Sequence, residues 1–569
     1  MEYDLLIKGG LLVDGSGQPA YRGDLAVSDQ RIAAIGPDLG KNARQIIDAG
    51  GLVVTPGFID PHTHYDAQLL WDNLASPSSA FGVTTIVIGN CGFAIAPCRP
   101  ENRESTMRDL VKVEGMSLKA LKEGISWEWE TYPEYLSVLE KQKPALNVAT
   151  LLGHSPLRVY AMGQAAYERA ANETERQKIK QLFREALEVG AFGLGTSTAT
   201  NHFNEAGQPM PSRMASEEEF NDLEEVFREV GRGTFEITPS LDGSLEWLAN
   251  FARRSGRPTT WALLMSSPLD RQRHRAILKE VEKYQREGLR LYPQTGCFPL
   301  TMDFSLESAY PFEGLPVWQR LFKTERQNWP EVFRDPVFRR QFSEQAGSYP
   351  SRLFPGDWNN VEVLDPVNPA NAGLRHRPIM ELAREQGKNP VDTFFDLALS
   401  EDLRTMFSVA LLNTIEEDVL ELISHPGVLI AASDAGAHQT LLCDAGYTAR
   451  MLGYWVRERK LLGLEKAVAS LTGIPAAVYG IKDRGRLTPG FWADLVIYDP
   501  ATIMDGPKRL VNDLPGGEPR LVRDCQGIIY SIVNGQPLVN PSGQTSDALS
   551  NLLKEGKLEP KGQVLRANH

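Results

Sequence analysis

The chain has 569 residues, 42% of them hydrophobic and 23% charged, and its 60 Lys and Arg against 73 Asp and Glu leave a formal charge of −13. That composition excludes a disordered or fibrous chain, and the acidic balance excludes nucleic acid or an anionic membrane surface as the main partner, because both require a basic face. The length exceeds one ordinary domain of roughly 100–200 residues but suits an α/β barrel of about 250 residues with additions.

The N-terminus, MEYDLLIKGGLLVDGSG, is charged early and has no signal-peptide core, and no apolar run approaches the roughly 18–20 residues of a spanning helix, so a cytoplasmic protein is expected. Residues 4–35 alternate apolar and polar stretches punctuated by Gly-Gly, Asp-Gly and Ser-Asp, the texture of short hairpin strands. The same texture returns at 485–500 and 527–539, which predicts that the two ends meet in one small β domain. From residue 57 onward, short apolar runs alternate with amphipathic stretches. The candidate strands are GLVVTPGFID, TTIVIGN, LNVATLLGH, AFGLGTS, GTFEITPS, PTTWALLM, LRLYPQT and VLIAASD. Helix-like segments at 172–190, 215–231 and 271–288 lie between several of them, with apolar residues spaced by three and four and a Gly at the end. Eight buried strands alternating with helices predict an α/β fold, a (β/α)8 TIM-type barrel. Between about 297 and 375 the rhythm fails in a stretch rich in Phe, Trp, Tyr and Pro, an insertion that either packs on the barrel or forms a lid or substrate wall. The predicted organisation is residues 1–56 as the first part of a β-sandwich, 57–483 as the barrel with its insertion, and 484–569 as the rest of the sandwich with a polar, partly extended tail.

The string Gly57-Phe58-Ile59-Asp60-Pro61-His62-Thr63-His64 closes the first barrel-type strand. In an extended chain residues two apart project to one side, so His62 and His64 can converge as a half-site for zinc or a similar divalent metal. The alternative is a solvent-facing pair. The position favours a site, since barrel enzymes build theirs at the C-terminal ends of strands. Cys91, Cys98, Cys297, Cys443 and Cys525 are odd in number and lack CxxC spacing, which reads as reduced thiols.

Taken with Ile88-Gly89-Asn90-Cys91-Gly92 on the second strand, Gly153-His154 on the third, Ser433-Asp434 on the eighth and RGRLTPGFWADLVIYDP near the end, these residues give a chain that resembles amidohydrolase-superfamily enzymes of the N-acyl-D-amino-acid deacylase (D-aminoacylase) group. The resemblance implies a metal-bearing (β/α)8 barrel, a small β-sandwich built from both termini, and hydrolysis of amide-like bonds by a metal-activated water. It also implies that His62, His64 and Cys91 are metal ligands, and that Asp434 binds or abuts the metal and takes the proton from the attacking water. Read from the residues alone, Cys91 is also a plain buried thiol and Asp434 a helix N-cap.

The departures are as specific as the matches. The resemblance implies a metal histidine at the end of the fifth strand and another at the end of the sixth, yet Gly233–Thr238 and Pro258–Met265 contain none, and AFGLGTS has no Lys to be carbamylated. A mononuclear site is therefore expected. Glu236 is the ionisable group of the fifth run and an oxygen ligand in reserve. His154 and His438 stand in strand-end contexts as replacement ligands or substrate contacts. Arg158 is a candidate for a substrate carboxylate, with a structural ion pair as its alternative. His202 is a weaker candidate, and His274, His376, His425 and His569 are expected to be solvated. The expected function is hydrolysis of the amide bond of N-acyl amino acids, D-configured ones among them, or of related linear amides, with a divalent metal, zinc first. A cyclic amide or imide hydrolase and a non-catalytic small-molecule-binding barrel are the alternatives. The expected partner is a small-molecule substrate, with homo-oligomerisation left open.

Overall fold

In the computed structural model, which describes residues 2–240, 244–349, 353–431, 433–539, 551, 553, 555 and 557–567, the turn-punctuated N-terminus forms β1 (Tyr3–Leu12), β2 (Tyr21–Ser28), β3 (Arg31–Gly36), β4 (Ala43–Asp48) and β5 (Val53–Pro56). Asp29 and Gln30, with φ of 50° and 67°, make the two-residue turn between β2 and β3, the backbone that matches the twist of paired strands. Gly57 then hands the chain to a different sheet. A Cβ there would lie 2.1 Å from the Thr84 hydroxyl, so the crossing requires glycine.

The apolar runs that follow form β6 (Phe58–Asp60), β7 (Val83–Ile88), β8 (Asn147–Thr150), β9 (Leu152–Gly153), β10 (Gly193–Ser197), β11 (Thr234–Thr238), β12 (Thr259–Trp261) and β13 (Leu291–Thr295). An insertion carries β14 (Leu300–Phe304), β15 (Val361–Asp365) and β16 (Met406–Leu412), after which come β17 (Leu429–Ile430), β18 (Leu495–Tyr498), β19 (Met504–Leu514), β20 (Glu518–Gln526), β21 (Ile528–Val533) and β22 (Gln536–Val539). Strands β6, β7 and β8 pair in parallel, as do β9 through β13 and then β17, and only Leu151 separates β8 from β9. A parallel bridge between Thr63 and Ala435 brings the chain just past β6 beside the chain just past β17. The two ends of the row thus meet where the sequence motifs lie. Nearly every residue of these strands is buried, as parallel strands covered on both faces require.

The intervening helices follow from their ends. Glu173–Glu188 starts at a reciprocal capping box between Asn172 and Glu175, and Glu217–Val230 starts on the Ser216 side chain and stops at Gly231, φ 71°. The two termini share one eight-stranded sheet in the order β22-β21-β18-β5-β1-β2-β3, with β4 beside β1, while β19 and β20 form a separate hairpin. The aromatic-rich stretch expected at about 297–375 belongs to a larger unit that runs to Leu412. Its antiparallel sheet, β14-β16-β15, is covered by helices around Phe312, Trp318, Phe342, Phe394 and Phe407. The helices Ile379–Gln386 and Pro390–Ser400 carry the same periodicity as barrel helices, so the pattern hid that boundary. Of the tail, 557–567 is extended and packed: Val564 pairs with Val148, and the Leu565 amide donates to the Val148 carbonyl at 2.8 Å. Among the described residues no helix is long and apolar enough to cross a membrane.

Candidate metal centre

Each motif residue is delivered by a turn whose local chemistry is visible. Past β6, the His64 amide donates to the Ala435 carbonyl at 2.7 Å and the Ser433 hydroxyl to the His62 carbonyl at 3.1 Å, which ties the HxH segment to the Asp434 loop. Past β7, Gly89, Cys91 and Gly92 all have positive φ, and a Cβ on Gly92 would lie 2.7 Å from the Thr196 backbone. Asn90 locks the turn by donating to the Thr63 and Val87 carbonyls at 3.1 and 2.9 Å. The G-N-C-G sequence is therefore a device for driving one side chain inward against β10.

The result is a convergence of donor atoms. His62 Nε2 lies 3.4 Å from Cys91 Sγ and 3.3 Å from Asp434 Oδ1, and His64 Nε2 lies 3.6 Å from the same Asp434 oxygen. The ligand atoms of His62, His64 and Cys91 all fall within 4.8 Å of one another, and all three side chains are buried. On the far side of its ring, His62 Nδ1 contacts Gln294 Oε1 at 2.6 Å, and His64 Nδ1 faces Glu114 Oε1 at 3.6 Å. Glu236 reaches in from β11 and accepts the Cys91 amide at 2.7 Å, and the Thr238 hydroxyl donates to Cys91 Sγ at 3.1 Å.

Electrostatically the cluster is short of cations. Burial, opposed in part by the Cys91 amide and reinforced by Asp434, pushes Glu236 up to about 8. Burial with Asp434, Asp66 and Glu236 nearby puts Glu114 well above the usual carboxylate range. Burial alone also favours a neutral Asp434, but the imidazoles of His64, His62 and His438 facing it outweigh that and hold it well below the range. Burial lowers His64 to about 4, against the pull of Asp434, so its imidazole is neutral at neutral pH. Burial together with Glu236, Glu114 and Asp434 raises the Cys91 thiol well above its ordinary value. His64 Nδ1 and Glu236 Oε1 are buried with no hydrogen-bond partner. Two imidazoles grouped with a thiol and also facing a carboxylate, with carboxyls that otherwise retain protons, fit a divalent cation.

The other sequence candidates divide. His438, with φ 47°, sits beside Glu114, whose carbonyl accepts its amide, and its charge acts on Asp434. His202 bonds the Ser197 hydroxyl at 2.7 Å. His154 and Arg158 are not brought to the cluster. Both are fully buried against Glu219, with His154 Nε2 at 2.8 Å, and the Arg158 guanidinium also donates to the Arg169 carbonyl at 3.0 Å. Arg158 is thus committed to an ion pair and does not face the cluster. The expectation that His274 and His425 are solvated is corrected. His274 is wholly buried, and the His425 side chain is 11% exposed and bonds Glu282 at 3.0 Å. His274 shares the buried face of its helix with Leu278 and Val281, and His425 closes the end of its helix. His376 is exposed, and His569 lies outside the described residues. His274, Asp418 and Glu421 form a second group with ligand spacing, but Arg271 and Arg275 already neutralise Asp418 at 2.6–2.8 Å. Sequence reasoning missed Gln294, Glu114 and Thr238. Gln294 left a signal, a polar residue at the C-terminal end of a barrel-type strand. Glu114, at the end of a charged helix, left none.

Two cavities adjoin the centre. One of about 30 Å3 is lined by Asp434, Asp444 and Arg520, the last delivered from β20. The other, about 400 Å3, starts at Thr238 and His202 and is walled by apolar side chains including Leu248, Trp261, Leu264 and Ile277, with Arg273 at its rim.

The profile described as the amidohydrolase family matches residues 45–300 and 361–539. A D-aminoacylase of Alcaligenes xylosoxydans xylosoxydans is 30% identical over 510 residues, 88% of this chain and 89% of that protein. The crystal structure of an N-acyl-D-glutamate deacylase from Bordetella bronchiseptica, complexed with zinc and a phosphonate inhibitor that mimics the tetrahedral intermediate, covers 100% of both chains at 25% identity with a TM-score of 0.65. A D-aminoacylase structure, described in terms of a binuclear metal centre with one-metal activation and second-metal attenuation, covers 99% of this chain and 100% of that one at 25% identity and TM-score 0.63.

Proposed function

The chain belongs to the amidohydrolase family, and from that premise we propose that it is a metal-dependent hydrolase of the amide bond of N-acyl amino acids, D-configured ones included. The observation that carries this reading is the convergence of the His62, His64 and Cys91 ligand atoms within 4.8 Å of one another, with one oxygen of Asp434 3.3 Å from His62 Nε2 and 3.6 Å from His64 Nε2. In this reading the parallel row from β6 to β17 is the (β/α)8 barrel of residues 57–483, and residues 1–56 and 484–569 build the sandwich. His62, His64 and Cys91, with Asp434 beside the two histidines, would hold one divalent metal. The mixed nitrogen, sulfur and oxygen set suits zinc. Such a metal polarises a carbonyl and lowers the pKa of water.

Around it, Asp434 is ionised at neutral pH and takes the proton of the attacking water, then delivers it to the leaving nitrogen. Neutral His64 leaves its ring nitrogen free as a ligand. Glu236, with the fifth-strand histidine absent, holds the Cys91 amide and steadies the turn that carries the thiol. The 400 Å3 cleft takes the substrate's apolar part, and Arg273 takes a carboxylate at its rim. The five cysteines, all buried and unpaired, accord with a reducing compartment.

Assay of zinc-loaded protein against N-acyl-D-amino acids, N-acyl-L-amino acids and cyclic imides tests the proposal. Turnover of the acylated D-amino acids with release of free amino acid is expected. Turnover of cyclic imides alone would overturn it in favour of ring opening, and a chain that binds no zinc would overturn it altogether.

A further inference from the structure

A metal ligand must present a lone pair, and a neutral imidazole has only one to offer, so His62 is useful only if its proton sits on Nδ1. Gln294 Oε1, 2.6 Å from His62 Nδ1, would enforce that tautomer if the amide points this way and not the reverse. A reversed amide would place an N–H against Nδ1 and drive the ring proton onto Nε2, the nitrogen that faces Cys91 and Asp434.

The direction follows from the amide's contact with Thr260 and from the buried hydroxyl of Tyr479 beyond it. The Pro61 carbonyl can only accept, and the Tyr479 hydroxyl donates to it at 3.1 Å. With its proton so used, the Tyr479 oxygen can only accept, and the neighbouring Thr260 hydroxyl is the donor that acts on it. Thr260 Oγ1 then has only lone pairs left for its other neighbour, Gln294 Nε2, which donates to it at 3.1 Å. That leaves Gln294 Oε1 facing His62. Tyr479, Thr260, Gln294 and His62 are between 0 and 3% exposed, so no solvent competes for these bonds. The anchor is the carbonyl of the residue immediately before His62, which ties both ends of the relay to one segment.

We propose that Gln294 is a positioning residue that fixes the His62 tautomer for metal binding, and that Thr260 and Tyr479 set the direction of its amide. Thr260 lies on β12, the strand from which a metal histidine is missing. In this chain that strand serves the centre through a hydrogen-bond relay in place of a ligand. The proposal rests on the metal-centre reading above.

The test uses the full chain, histidine-labelled with 15N, metal-stripped and then titrated with zinc against a chelating indicator. The metal-stripped protein is expected to show His62 Nδ1 protonated and Nε2 as a free acceptor. Gln294→Leu should give mixed tautomers and weaken zinc binding roughly 10–100-fold, the usual cost of losing an outer-shell partner. Gln294→Glu, whose carboxylate accepts from Nδ1 whichever way it turns, should keep the tautomer and the affinity. Thr260→Val should weaken zinc binding in the Gln294 background and have little effect in the Gln294→Glu background. Equal losses in Gln294→Leu and Gln294→Glu would mean that Gln294 merely packs, and an unchanged tautomer in Gln294→Leu would overturn the relay. Because the nitrogen pattern is read without metal, a wild-type chain with the expected tautomer but no zinc affinity would support the relay while sinking the metal reading.

Discussion

Asp434 and Glu236 are both buried carboxyls within one cluster, and their neighbours send them in opposite directions. Asp434 faces three histidines and stays ionised, whereas Glu236 faces a single amide N–H and Asp434 and is pushed up to about 8. The division suits a base and a structural acid. Asp434→Asn is accordingly expected to retain most of the bound metal while lowering kcat by about 10²–10⁴-fold, the range for loss of a general base, as checked by metal content and steady-state kinetics on one preparation. Away from the centre, Asp109 has the same chemistry without a metal to change it. Burial pushes it up to about 7 from an ordinary 3.8, against the hydrogen bond that the Tyr167 hydroxyl donates at 2.6 Å and the nearby Asn204 amide. The folded chain therefore holds this proton more tightly than the unfolded chain does. The stability it contributes is full below pH 3.8 and is lost as pH rises through 7, on the order of 4 kcal/mol in all. Asp109→Asn, which is neutral throughout, should flatten that part of the pH profile, so urea unfolding at pH 5 and pH 8 should differ less in the variant than in the parent.

At the scale of elements, what the sequence displayed was periodicity, and what it concealed was pairing. The helix Glu217–Val230 was legible from its spacing and its Gly stop, yet its inward Glu219 looked like any acidic residue in a charged first turn. In the fold that carboxylate is fully buried between His154 and Arg158, which lie on the helix His154–Met162. The ion cluster thus clamps one covering helix to another and accounts for two residues whose strand-end context had suggested a site. Glu219→Gln leaves the Arg158 charge buried without a counterion, and a loss of about 3–5 kcal/mol is expected from the shift of the denaturant midpoint. Zinc affinity should be unchanged, because neither partner contacts the centre.

For the whole molecule, the tail is the element whose role only the three-dimensional arrangement assigns. Residues 557–567 run beside β8, where Gln563 donates its amide to Asn147 at 3.2 Å and Asn534 reaches the Lys561 carbonyl at 2.6 Å. The segment therefore fastens the sheet made by the two termini to the parallel strands. Deleting residues 557–569 should lower the thermal midpoint and speed proteolysis at the exposed end of β8, while the composition of the metal centre, at the opposite ends of the strands, stays the same. A truncated chain with an unaltered midpoint would show the tail to be dispensable.

By itself the sequence determined the elements that follow from local rules: strands from short apolar runs, helices from spacing and Gly stops, and the pairing of the HxH histidines from extended-chain geometry. It also showed which histidines are missing, since an absent side chain needs no fold to be seen. What only the tertiary structure decided was partnership across long separations. Gln294 lies 232 residues from His62, Glu236 145 from Cys91, and Ser433 371 from His62. The physical reason is that burial and hydrogen bonding belong to pairs of residues, and the strand order that makes those pairs is set by packing of the whole chain. A Gln in a strand, a Glu in a strand and an Arg after a strand look alike in sequence. Their neighbours made the first a support for His62, the second an anchor for the Cys91 turn and the third a structural cation.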